Sequence, residues 1–68
     1  MVKKYFLPDG RMIYADQGLG QNYMTMVSKP NGSGRKRYIS KELPVRATLQ
    51  AAVNDLEQYS AKHGLRAI

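Results

Sequence analysis

Lys3–Asp16 reads KKYFLPDGRMIYAD, and the fold turns on how it is divided. Leu7-Pro8-Asp9-Gly10-Arg11 is a turn signal with a mechanism. Pro8 presets φ for a type I turn, Asp9 can bond its own backbone, and Gly10 can take positive φ. The flanking runs, Lys3–Leu7 and Arg11–Asp16, are rich in aromatic and aliphatic residues and read as the two strands of an antiparallel hairpin. Two registers fit. A three-residue loop sets Phe6 opposite Met12 and Tyr5 opposite Ile13. A two-residue Asp9-Gly10 turn pairs Leu7 with Met12, Phe6 with Ile13 and Tyr5 with Tyr14. Both registers put large apolar groups on the two faces of the hairpin, because side chains alternate with period two.

Gln17–Asn22 (QGLGQN) is a polar, glycine-bearing loop, and Tyr23–Lys29 (YMTMVSK) reads as a third strand. In it Tyr23, Thr25 and Val27 alternate with Met24 and Met26. Pro30-Asn31-Gly32-Ser33-Gly34 is the strongest breaker in the chain. A short fourth strand is expected from Lys36 through Ser40.

The chain then changes character. Thr48–His63 is expected to be an amphipathic helix, with Thr48 as its N-cap. Pro44 offers a slightly earlier start. Leu49, Ala52, Val53, Leu56, Tyr59 and Ser60 share one side, and Gly64 supplies a left-handed stop. The expected fold class is α+β: a three- or four-stranded antiparallel β-meander over 3–41, with one C-terminal helix over 48–63 packed on one face. That helix should bury Leu49, Val53, Leu56 and Tyr59 against sheet residues such as Phe6, Ile13, Met24 or Met26, with Leu43, Val45 and Leu65 closing the ends. One helix cannot cover both faces of such a sheet, so an apolar, Tyr-rich face should remain uncovered unless flanking segments wrap it.

A length of 68 residues sets one small domain, 1–68. With no cysteine, disulfides and thiolate zinc sites are excluded. A single histidine, at the helix end, supplies no transition-metal set, so no metal and no cofactor are expected. Asp55 and Glu57 are two apart on a helix and do not face each other. Gly18-Leu19-Gly20 lacks the remainder of a phosphate-binding loop, and no serine sits in a nucleophile elbow. The chain is therefore not expected to be an enzyme. Met1–Gly10 has a basic pair but no apolar core of a leader, and no apolar run suits a membrane span, so a cytoplasmic location is expected and Asn31-Gly32-Ser33 is set aside as a glycosylation site.

The formal net charge is +6, which favours acidic partners. Lys29, Arg35, Lys36, Arg37 and Lys41 fall in one segment without an acid, whereas the helix carries Asp55 and Glu57 against Lys62. Basic side chains beside flexible, glycine-bearing backbone suit phosphates, and Tyr38, with Tyr23 and Tyr14, suits stacking. The expected function is a non-catalytic binding module for DNA or RNA that uses Lys29, Arg35, Lys36, Arg37, Tyr38 and Lys41. The alternative is a protein-interaction or self-assembly module, a homodimer or a complex with another protein, that uses the uncovered sheet face. Some sheet-reading DNA-binding domains, including arm-type domains of integrases, share the three-strands-and-a-helix architecture, but no motif in this chain identifies it with them.

Overall fold

Two five-residue turns of one design organise the sheet in the computed structural model, which describes residues 3–18 and 20–68. Met1, Val2 and Leu19 lie outside the described residues, and with them the start of Met1–Gly10 and the middle of Gly18-Leu19-Gly20. In the first turn the Leu7 amide donates to the Arg11 carbonyl (2.7 Å) and the Gly10 amide to the Leu7 carbonyl (2.9 Å). Gly10 has φ +93°, and the Asp9 carboxylate accepts from the Arg11 amide at 3.0 Å. In the second turn the Lys29 amide donates to the Ser33 carbonyl (2.9 Å) and the Gly32 amide to the Lys29 carbonyl (2.8 Å). Gly32 has φ +85°, and the Asn31 side-chain oxygen accepts from the Ser33 amide at 3.0 Å. Proline, then Asp or Asn, then a left-handed glycine makes a type I turn closed by a glycine bulge, the usual three-residue hairpin connection.

That turn selects the three-residue register. Strand β1 (Lys4–Phe6) meets β2 (Met12–Gln17) with Lys4 opposite Tyr14, Tyr5 opposite Ile13 and Phe6 opposite Met12. Strand β3 (Tyr23–Ser28) runs antiparallel to β2 over its full length, from Met12 opposite Ser28 to Gln17 opposite Tyr23. Strand β4 (Lys36–Arg37) pairs with β3, Val27 opposite Lys36 and Met26 opposite Arg37. It is shorter than the expected Lys36–Ser40, because the chain leaves after Tyr38, whose amide donates to the Thr25 carbonyl at 2.9 Å.

Helix α1 (Leu49–His63) is capped at both ends by the expected residues. Thr48 is extended (φ −131°, ψ 149°), and its hydroxyl accepts from the Ala51 amide at 3.2 Å. Gly64 takes φ +65°, and the Leu65 amide returns to the Ser60 carbonyl at 2.9 Å. The chain then adds a strand that its sequence did not announce, β5 (Arg66–Ala67), beside β1, with Phe6 opposite Arg66 and Tyr5 opposite Ala67. The result is a five-stranded antiparallel sheet in the order β4-β3-β2-β1-β5 with one C-terminal helix, an α+β fold. Among the described residues no helix is long and apolar enough to cross a membrane.

The helix lies on the face that carries Tyr5, Leu7, Ile13, Ala15, Thr25 and Val27, all buried. Its own buried residues are Ala52, Leu56 and Ser60. Ala52 and Ser60 on the helix and Ala15 and Thr25, paired across β2 and β3, are small and buried, and the helix packs against both strands. This seam differs from the expected one. Leu56 is buried and Val53 and Tyr59 are partly so, but Leu49 is 36% exposed. Of the sheet residues expected beneath the helix only Ile13 is there; Phe6, Met24 and Met26 share the opposite face by strand parity. Leu43 is buried and Leu65 packs on the core, while Val45 stays exposed.

Candidate nucleic-acid interface

The face opposite the helix is built from the even-numbered positions of β1, β2 and β3. One row across it runs Arg37, Met26, Tyr14, Lys4; the next runs Ser28, Met12, Phe6, Arg66; Met24 and Asp16 form a third pair. Phe6 is 38% exposed, and Met12, Tyr14, Met24 and Met26 are half-buried. None of these five belongs to the hydrophobic core or packs against it. Strand spacing of about 4.8 Å makes the row from Arg37 to Lys4 about 14 Å wide. Its apolar centre is flanked by Arg37 on the β4 side and by Lys4 and Arg66 on the β1–β5 side. The Lys4 ammonium sits 5.2 Å from the Tyr14 ring centroid, a cation–π distance.

The edges of the sheet are closed. On β3, Tyr23 exchanges two 2.8 Å hydrogen bonds with Arg46, beyond the end of β4. On β1, the Lys4 carbonyl accepts from the Ile68 amide at 2.8 Å. Both edge strands are two residues long and basic, which discourages pairing with another chain. The open surface is thus a face rather than an edge.

Charge is distributed to match. Asp9 pairs with Arg11, Asp16 with Arg35, Asp55 with Arg46, and Glu42 with Lys62 and His63. Among the described residues this leaves seven cations without a carboxylate partner, Lys3, Lys4, Lys29, Lys36, Arg37, Lys41 and Arg66, against the single carboxylate Glu57 on the helix. The whole net charge of +6 resides in that set. Three of the seven flank the helix-free face.

The six residues singled out from sequence do not share one surface. Arg37 lies on the helix-free face, and Lys36, opposite Val27, lies on the other. Arg35 is held by Asp16 at 2.8 Å and by the Gln17 carbonyl at 3.3 Å. Lys29 and Lys41 are exposed in loops. Tyr38 turns toward the helix: its hydroxyl lies 3.1 Å from that of Tyr59, and the rings meet edge-on at 6.2 Å. That hydrogen bond, aided by burial, pushes the Tyr59 pKa up to about 12. Glu42, beside them, is held below its ordinary value by hydrogen bonds from Lys62 and then His63. These contacts fasten the β4–α1 connection to the helix.

Lys4, Phe6, Met12, Tyr14, Met24, Met26 and Arg66 line the face but were not among those six. For all but Arg66 the signal was present, in the alternation of the first three strands; a two-residue strand leaves no such pattern for Arg66. Compared with known proteins, the chain matches no family model, no curated protein and no solved structure.

Proposed function

We propose that this chain is a non-catalytic nucleic-acid-binding module whose contact surface is the helix-free face of the sheet. One observation carries the reading: a partly exposed aromatic and methionine surface, with Phe6 the most open, is bordered by cations that no carboxylate neutralises among the described residues. Phosphates supply the missing counter-charge, and bases have flat apolar faces for the centre. Lys29 and Lys41, exposed in loops, add to the positive charge of the molecule.

A second copy of the chain fits the same surface less well. Face-to-face packing would gather Lys4, Arg37 and Arg66 of both copies around one apolar patch, with Asp16 already engaged by Arg35. Like charges brought together in this way oppose association.

Titration of labelled DNA and RNA oligonucleotides at rising salt tests the proposal. Binding at low salt that weakens linearly in log–log form is expected. Replacement of Lys4, Arg37 or Arg66 by Gln should reduce the slope by about 0.7–0.9 each. No binding at low salt, with concentration-dependent dimers in light scattering, would instead establish the face as a protein interface.

A further inference from the structure

We infer that the occupant of this face is single-stranded nucleic acid held by base stacking, rather than a duplex read through its grooves. The inference rests on the nucleic-acid reading above and adds to it the class of substrate. Groove readout needs hydrogen-bonding side chains aimed at base edges, typically Arg, Asn, Gln or Glu at the centre of the contact. The centre here holds Met12, Tyr14, Met24, Met26 and Phe6. Its polar members are otherwise engaged: Asp16 is bound to Arg35, and Ser28 is 3% exposed. Duplex edges would therefore lose water without gaining partners, which costs affinity for each unsatisfied group.

Unpaired bases meet no such penalty on their faces. Phe6 and Tyr14 stand on adjacent strands and are diagonal neighbours, since Phe6 lies opposite Met12 and Lys4 opposite Tyr14. Diagonal partners are about 7–8 Å apart, so each ring can take its own base. The three methionines surround the rings with polarizable, adaptable surface that tolerates any base. Lys4, which lies over the Tyr14 ring and must swing aside for a base to stack there, and Arg66, opposite Phe6, place a cation near each ring for the connecting phosphates. Sequence-tolerant binding is the expected consequence.

Fluorescence anisotropy with labelled oligo-dT, oligo-U and a mixed-sequence duplex of equal length, at low salt, tests this. Wild type should bind both single strands more tightly than the duplex. Phe6→Ala and Tyr14→Ala should each weaken single-strand binding about fivefold or more while leaving the salt slope unchanged. Phe6→Leu and Tyr14→Leu keep the apolar area and the fold but remove the ring, and should also lose affinity. Circular dichroism of each variant checks folding. Equal or tighter duplex binding, insensitive to the Leu variants but weakened by Arg37→Gln, would overturn the stacking inference and leave the nucleic-acid reading intact. No binding to any of the three probes would overturn both.

Discussion

The two faces of this sheet are made by the same strands and carry similar numbers of large apolar residues, yet only one is a core. On one face Ile13 and Val27 are 0% and 2% exposed beneath the helix. On the other their chain neighbours Tyr14 and Met26 are half-buried, on the side away from the helix. The difference lies in what borders each side chain. Ile13 and Val27 have Ala15, Thr25, Ala52 and Leu56 around them, small and large groups that interlock. Tyr14 and Met26 have Lys4 and Arg37 at the ends of their row. An apolar group surrounded by interlocking neighbours contributes to folding, whereas one bordered by unpaired cations is, on the proposed reading, available to an anionic partner.

Substitution should separate the faces first in stability. Ile13→Ala is expected to cost about 2–5 kcal/mol in urea unfolding, enough to unfold so small a domain, and Ile13→Val about 1 kcal/mol. Tyr14→Ala and Met26→Ala should each cost less than about 1 kcal/mol. Equal losses on the two faces would break the comparison. Charge should separate them next. The triple variant Lys4→Gln, Arg37→Gln, Arg66→Gln is expected to lower the log–log salt slope of binding by about 2–3 while shifting the unfolding midpoint little. The same treatment of Arg46, which is bound to Asp55 at 2.7 and 3.2 Å, should affect stability instead.

A finer test lies within the core face. The Ser60 hydroxyl is buried with no hydrogen-bond partner among the described residues. Ser60→Ala removes that unpaired group and suits a helix better, so it should raise stability by about 1 kcal/mol in the same urea experiment. The smallest effect concerns the connection that leads into the helix. Hydrogen bonds from Lys62 and His63 hold the Glu42 pKa below its ordinary 4.5 in the folded state. Its contribution is therefore present above that value and disappears as pH falls through the depressed one. Thermal melts should show a slightly shallower loss of stability in acid for Glu42→Gln than for wild type.

Much of this was legible in the chain. Pro8-Asp9-Gly10 announced a turn while leaving two registers open, Thr48 and Gly64 marked helix ends with Pro44 as an earlier start, and the alternation along Met12–Gln17 and Tyr23–Ser28 announced two apolar faces. Which of the faces would receive the helix was not legible. Period two assigns residues to opposite faces without ranking them, and the covered face is marked by Ala15, Thr25, Ala52 and Ser60, small buried residues that a hydrophobicity count overlooks. The basic segment Lys29–Lys41 was visible as composition, but composition does not show that Lys36 and Arg37 point to opposite faces or that Arg35 is tied to Asp16. Arg66 was invisible because a two-residue strand is specified by where the helix delivers it, not by its own side chains.

The ε-methyl resonances of Met12, Met24 and Met26 report the helix-free face directly, and the methyls of Ala52, Val53 and Leu56 report the opposite side of the molecule. Titration of the labelled protein with oligo-dT at low salt should move the three methionine signals together while the helix methyls stay in place. Movement confined to the helix methyls, or no movement in either set at saturating oligonucleotide, would contradict the assignment of this face as the binding surface.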